Sequence, residues 1–351
     1  MPELYTVPVA KLQEIVTTIF KNNGLTDHDS AIMADNLLDA NLRGMHSHGV
    51  LRVENYIKRI KAGGTDPNAE IKVLRETPIS AVLDGGNGLG AIVSTKAMEM
   101  CRQKAEEIGI ACVAVRNSNH YGTSAYYCER MAKDDMIAFS CSNVEPLMGP
   151  PGATKVAIGN NPFSMVTPAG KYHYVASDMA TSQVAWGKVL NYRLLDQTLP
   201  GPFGVDANGN ATDNPHAAKF LAPMGAHKGY GVAVMLEILC SLLAGGEFGT
   251  DINSMYGNID KGNKLSHFFM AIKISAFRDL DEFKADMEKF VEYLQSIPTG
   301  DGGRIVVPGE LEEANKAKQL ANGIEITEAL AKELLEMAYG EITGELGDYL
   351  K

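Results

Sequence analysis

Two polar segments carry histidines whose neighbours suit proton transfer or anion binding. In the first, His46-Ser47-His48-Gly49, Arg52 lies four residues beyond His48 and Tyr56 four beyond Arg52. If that turn is helical, His48, Arg52 and Tyr56 project from one face. An imidazole, a guanidinium and a phenol on one face suit a small oxyacid. Arg52 would grip the carboxylate in bidentate fashion, His48 or Tyr56 would meet the hydroxyl or carbonyl, and Ser47 stands beside them. The same residues also describe a solvated helix start with Ser47 as its cap. In the second segment, Asn117-Ser118-Asn119-His120-Tyr121-Gly122, the histidine falls between a predicted strand end and a helix start. An imidazole titrates near neutrality and can exchange a proton with an alkoxide. Capping the following helix is the alternative role for His120.

Further polar clusters point the same way. Gly159-Asn160-Asn161-Pro162 offers Asn161 as a substrate contact. Ser177-Asp178-Met179-Ala180-Thr181-Ser182 places an acid between a strand and a helix, where Asp178 either orients a catalytic histidine or caps that helix. Lys228 opens an otherwise apolar helix. A cation at the positive end of a helix dipole is unfavourable unless an anion binds there, so Lys228 is a candidate phosphate contact. The loop Asp84-Gly85-Gly86-Asn87-Gly88-Leu89-Gly90-Ala91 meets the loose dinucleotide pattern through Gly86, Gly88 and Ala91. That pattern also needs an acid at the end of the next strand to hold a ribose hydroxyl. Val115-Arg116-Asn117-Ser118 supplies none, so a tight strand-to-helix turn is the better reading. No GxSxG or HExxH occurs, and no third ligand accompanies His46 and His48, so no metal site is expected.

These residues need a scaffold that brings distant segments together. Helices are predicted over Val9–Asn23, Thr26–Leu42 and Val50–Ala62 from apolar spacing and closing glycines. Strand signals follow at Glu70–Arg75, Ile79–Asp84, Ile110–Val115 and Met136–Ser142, with helices over Gly90–Ile108 and Thr123–Lys133 between them. Phe163–Thr167 and Tyr172–Ser177 read as a hairpin, Ser182–Leu194 and Lys228–Ala244 as helices, Lys264–Ile274 as a strand and Leu280–Ser296 as a helix. The tail from Glu310 is helical. Hairpins and crossovers together predict an α/β (α+β) fold with a mixed, largely antiparallel sheet and flanking helices.

Composition narrows the function. The 351 residues carry 32 Lys+Arg against 43 Asp+Glu, a net charge of −11, which disfavours nucleic acid and anionic membrane as partners. No apolar run approaches the roughly 20 residues a membrane-spanning helix needs, and the opening MPELYTVPVAKLQ, without a basic stretch followed by an apolar one, is not expected to act as a signal peptide. The five cysteines form no CxxC pair, so free thiols in the cytoplasm are expected.

The motifs around His48 and Arg52, around His120, at Gly159–Pro162 and at Ser177–Ala180 occur in one order with Ala185-Trp186-Gly187-Lys188, His227-Lys228-Gly229-Tyr230-Gly231 and Pro308-Gly309-Glu310. Together they resemble the type-2 malate/L-lactate dehydrogenase family, which includes ureidoglycolate and sulfolactate dehydrogenases and Δ1-piperideine-2-carboxylate reductases. The resemblance implies a non-Rossmann NAD(P)-binding fold, with residues 76–310 as the cofactor-binding sheet domain and residues 1–75 with 311–351 as a helical domain. It implies a homodimer with the site near the subunit interface, and hydride transfer between nicotinamide and C2 of a small L-2-hydroxy acid. His120 would be the general acid/base, with His48 and Asp178 completing the catalytic set. His48, Arg52 and Tyr56 would hold the substrate, with Ser47 and Asn161 also contacting it. Asp178, Met179, Ala180, Lys228, Gly309 and Glu310 would contact the cofactor, for which NAD is expected because no cation can be assigned to the 2′-phosphate of NADP. Glu145, an acid before Pro146, resembles the ureidoglycolate branch, where it would accept hydrogen bonds from a ureido group. A cyclic-imine reductase and a catalytically silent scaffold are the alternatives.

Overall fold

A computed structural model describes residues 4–350. Strand β1 (Leu4–Val7) precedes helix α1 (Val9–Asn22), on which Leu12, Ile15, Val16, Ile19 and Phe20 recur at helical spacing and are all buried. Helix α2 (Asp27–Leu42) starts where the Thr26 hydroxyl accepts the Asp29 N–H at 3.1 Å. Two short 3₁₀ turns, His46–His48 and Val50–Arg52, come before α3 (Val53–Ala62). The third helix therefore begins at Val53 rather than Val50, and His48 lies in a tight turn ahead of it. Gly63 closes α3 in the left-handed conformation.

The central sheet contains β2 (Lys72–Glu76), β3 (Ser80–Asp84), β4 (Ile110–Ser118), β5 (Met136–Ser142), β6 (Phe163–Pro168) and β7 (Tyr174–Met179). Its seventh strand comes from far along the chain and fits between β4 and β5. Only β3 and β4 run parallel, joined through α4 (Gly90–Ile108); the remaining pairs are antiparallel. The mixed, largely antiparallel sheet expected from the hairpin and crossover signals is thus present.

Helices α4 and α5 (Ser124–Ala132) cover one face over a core that includes Leu83, Val93, Met98, Val113, Tyr127, Met131 and Phe269. After α6 (Trp186–Leu194) comes a small three-stranded sheet of β8 (Gly204–Val205), β9 (Ala211–Thr212) and β10 (Phe220–Leu221). Helix α7 (His227–Glu237) then covers the other face of the main sheet. It passes into a π-helical turn at Ile238–Leu242, where a continuous helix to Ala244 was expected. Leu236, Cys240 and Ala244 pack there against Ala114, Cys141 and Phe268. The inserted strand is β11 (Leu265–Lys273).

Beyond α8 (Leu280–Gln295) and α9 (Glu310–Asn322) lies β12 (Ile324–Thr327), which pairs antiparallel with β1. This two-stranded ribbon differs from the wholly helical chain ends that apolar spacing predicts. Helices α10 (Glu328–Tyr339) and α11 (Leu346–Tyr349) complete the chain. Apolar residues of α1, α2, α3, β12 and α10 share one core that also takes in Leu89, Ala91 and Met255.

The glycine loop after β3 spends its N–H groups internally. Gly85 N–H donates to Arg116 O at 2.8 Å, Gly86 N–H to Asp84 Oδ1 at 3.0 Å, and Asn87 N–H to Asn117 O at 2.9 Å. Donors so engaged cannot cradle a pyrophosphate.

Candidate active site

The site forms where β4 and β5 end and the turns before α3 close over them. His120 leaves the end of β4, and Tyr56 rises from α3 to meet it, with Oη and the His120 Nδ1 at 2.6 Å. The Gly122 nitrogen also lies 3.4 Å from that Nδ1, and its N–H can donate there only in the tautomer whose Nδ1 carries no proton. No side chain or backbone group among the described residues bonds the other ring nitrogen, Nε2. Burial holds the Tyr56 hydroxyl far above its ordinary range, so it stays protonated. His48 stands next to His120, with ring centroids 5.6 Å apart, and its Nδ1 is 2.9 Å from Ser47 Oγ. Burial, and secondarily the Arg52 charge, lower His48 to about 4. His120 is pushed well below the ordinary 6.5 by burial first, then by His48, Arg52 and His267. Both imidazoles are therefore neutral at neutral pH.

Arg52 is half-buried and makes no ion pair with an acid among the described residues. Its Nε–H donates to Ser47 O at 2.6 Å, and its guanidinium lies 5.5 Å from the Tyr256 ring centroid. An unpaired guanidinium in a partly desolvated position favours an anion that brings its own charge. His48, Arg52, Tyr56 and His120 thus gather at one place, from segments separated in sequence.

A cavity of about 430 Å³ adjoins them, lined by Met45, His48, His120, Thr123, Asp178, Met179, Ala180 and Gln183 among others. A second, of about 310 Å³, continues from Met45, Asp178 and Met179 to the loop Val306–Gly309 and to Glu312. The two form a groove along the edge strand β7. Gly309 has φ +92°, and a Cβ there would approach the Ala176 Cβ to 2.9 Å. This lets the loop lie against β7, where Pro308 O accepts the Ala176 N–H at 3.0 Å. The groove's walls are mostly apolar, and a flat ring with a polyol tail fits such a lining.

Asp178 occupies the junction of the two cavities. No hydrogen bond joins it to His120 or His48. Its carboxylate instead faces the backbone N–H of Ala125 in the first turn of α5, which favours its charged form. Burial raises it to about 7, with Arg43 opposing.

Two other expected contacts, Asn161 and Glu145, are not among the residues lining this cavity. Asn161 is fully buried; its amide donates to Ala233 O at 3.0 Å and Glu237 Oε2 at 2.7 Å, while its neighbour Asn160 lines the cavity. Glu145 accepts the Met255 N–H at 3.0 Å and is not among the residues lining the cavity of His48 and His120. Lys228 is exposed at the start of α7. The Met224 N–H bond to Thr181 O at 2.9 Å brings that helix start beside the Ser177–Ser182 segment. Glu310 pairs with Arg304 at 2.5 Å and accepts the Val307 N–H at 3.2 Å, which fixes the Val306–Gly309 loop.

Sequence reasoning overlooked His267 on β11. Its ring lies 4.4 Å from that of Tyr121, stacked at 2°, and its nitrogens are 2.9 Å from Ser142 Oγ and Ser118 Oγ. It ties the ends of β4 and β5 together beneath His120. A histidine amid the apolar run Leu265–Lys273 was the available signal. Among the described residues, no group of three His, Cys, Asp or Glu side chains could hold a metal, and no helix is long and apolar enough to cross a membrane.

The chain and its fold have known relatives. The sequence model of the malate/L-lactate dehydrogenase family matches residues 7–335. An L-sulfolactate dehydrogenase from Methanocaldococcus jannaschii is 35% identical over 341 residues, 97% of this chain and 98% of that protein. A ureidoglycolate dehydrogenase (NAD(+)) from Escherichia coli K12 is 30% identical over 328 residues, covering 93% and 94%. The solved structure of the Methanocaldococcus jannaschii sulfolactate dehydrogenase superimposes with a TM-score of 0.91 at 33% identity over 99% of this chain and all of that one. The chain belongs to the malate/L-lactate dehydrogenase family.

Proposed function

We propose that this protein is an NAD-dependent dehydrogenase that moves a hydride between nicotinamide and C2 of a small L-2-hydroxy acid. The observation that carries the reading is the half-buried, unpaired Arg52 guanidinium beside the neutral His48–His120–Tyr56 cluster. Arg52 binds the carboxylate, which orients C2 and removes much of the entropic barrier. Tyr56 fixes the His120 ring through Nδ1 and leaves Nε2 for the substrate. When Nδ1 carries the proton and donates it to Tyr56 Oη, the Nε2 lone pair takes the hydroxyl proton. In the reverse direction the imidazolium returns it.

Residues of the groove, Asp178, Met179, Ala180 and Gly309, would hold the cofactor, with Lys228 at its phosphates and Glu310 securing the loop. Bound there, nicotinamide supplies or takes the hydride. Glu129, Asp178 and Glu312 line the part near Gly309, and Arg43, the arginine among its lining residues, is already paired with Asp39, Glu129 and Glu313. A 2′-phosphate finds no free cation in that lining, which supports NAD over NADP. The printed name of the Escherichia coli relative specifies the same nucleotide. Malate and sulfolactate, each with a second anionic group, are the substrates favoured by the family and by the more similar relative. The position of Glu145 outside the cavity weakens the case for ureidoglycolate.

Absorbance at 340 nm with NADH or NADPH and a panel of 2-oxo acids and cyclic imines tests the reading. Oxidation of NADH by a 2-oxo acid is expected. Turnover confined to imines would establish the reductase alternative, and no turnover at all would leave a silent scaffold.

A further inference from the structure

Arg59 and Glu145 are both buried or half-buried close to the site, yet neither lines the cavity that holds His48 and His120. Arg52, Tyr56 and Arg59 follow one another on one face around α3. Arg59 is 1% exposed. Its guanidinium donates to the backbone oxygens of Met255 at 3.2 Å, Asn258 at 3.1 Å, Lys261 at 2.6 Å and Gly64 at 3.2 Å, and to Asn119 Oδ1 at 3.3 Å. Three of those oxygens belong to the single loop Ile252–Asn263. Glu145 grips the same loop from the other side through the Met255 N–H, and with Asp260 it supplies the negative charge facing Arg59. The loop's neck is closed by Asn253 Nδ2–H donating to Gly262 O at 2.7 Å and Asn263 Nδ2–H donating to Asn253 O at 3.1 Å.

Between the Met255 and Asn258 anchors stands Tyr256, 57% exposed and with its ring over the Arg52 guanidinium. Nothing in Tyr256's own burial holds it there; the anchored backbone on either side does. We infer that Arg59 and Glu145 are positioning residues that clamp the Ile252–Asn263 loop so that the Tyr256 ring holds Arg52 in its carboxylate-binding pose. The inference rests on the proposed role of Arg52. It assigns Glu145 to substrate recognition at one remove, through backbone and ring. The Tyr256 face contributes a cation–π contact, and with Ser47 O on Nε it restricts the guanidinium to one plane, leaving the terminal nitrogens for the carboxylate.

Calorimetric binding of oxalate, whose adjacent carboxylates mimic C1 and C2 of a 2-oxo acid, to the NADH-loaded protein tests this. Tyr256→Ala should weaken oxalate roughly threefold to tenfold, and Tyr256→Phe, which keeps the ring face, should restore most of the affinity. Glu145→Ala should weaken it similarly, and Glu145→Gln, whose amide oxygen can still accept the Met255 N–H, should recover it. NADH affinity should not move in any of the four. If Arg52→Lys leaves oxalate affinity intact, or the wild type does not bind oxalate, the assigned role of Arg52 fails and the inference falls with it. If Arg52→Lys weakens oxalate while Glu145→Ala and Tyr256→Ala lower only the unfolding temperature, the clamp is structural and the inference alone is overturned. Equal losses in Glu145→Gln and Glu145→Ala would also overturn it, because the grip on the Met255 N–H would then not be what holds the loop.

Discussion

His120 is held neutral by its surroundings, and that fixes the pH behaviour of the chemistry. Burial, His48 and Arg52 all lower its pKa, so the base form persists well below pH 6.5. Oxidation of a hydroxy acid needs the neutral ring, so its kcat/KM should stay flat on acidification through pH 6.5 and fall only lower. Replacing Arg52 removes a neighbouring cation, so in Arg52→Gln the His120 midpoint should move up towards 6.5. An NMR titration of the His120 ring in both proteins checks the sign; a midpoint that stays or falls in the variant contradicts the electrostatic account. His48, Arg52, Tyr56 and His120 were legible as residue types at telling spacings. Asn161 and Glu145 were not, because hydrogen bonds to Ala233, Glu237 and Met255 decide where they point, and those partners lie far along the chain.

At the scale of elements, the groove depends on the loop Val306–Gly309 lying against β7. Gly309 sits at φ +92° with Ala176 close by. Gly309→Ala adds both left-handed strain, roughly 1–2 kcal/mol, and a clash that lifts the loop. NADH affinity, followed by fluorescence titration, should fall on the order of tenfold, by that energy, while oxalate affinity of the protein saturated with NADH changes little. Unaltered NADH affinity would take the loop out of the cofactor site. Most helices and strands could be read from apolar period, since α1 and α4 bury one continuous stripe each. The β1–β12 ribbon could not be read, because four-residue strands at opposite ends of the chain leave no local pattern. The π-helical turn after α7 was equally hidden: apart from Ser241 its residues are apolar, so periodicity does not distinguish it from continued helix.

At the scale of the molecule, one face of α7 and the turn beyond it is left uncovered. Met235, Leu242 and Leu243 are 57%, 52% and 58% exposed, with Val232 and Ile238 beside them, while Leu236 and Cys240 on the other side pack on the sheet. A contiguous apolar stripe of this kind is costly in water and fits a second copy of the chain. Sedimentation should show the homodimer that the family resemblance implies, dissociated by Met235→Glu; a monomeric wild type would contradict that expectation. The sheet order itself lay beyond sequence reasoning, since β11 enters between β4 and β5 from more than a hundred residues away. That insertion delivers His267 beneath the site and draws the ends of β4 and β5 together.

Direct hydride transfer at C2, with His120 taking the proton, is open to an isotope test. L-Malate, L-sulfolactate, L-lactate and ureidoglycolate, each deuterated at C2, should be incubated with the protein and NAD, and the reduced nicotinamide examined by NMR. Deuterium is expected at C4 of the nicotinamide from at least one of the L-hydroxy acids, none from its D-enantiomer, and a rate lowered roughly 10²–10⁴-fold in His120→Asn. Deuterium released to solvent, transfer undiminished in His120→Asn, or no reduced nicotinamide from any of the four would contradict it.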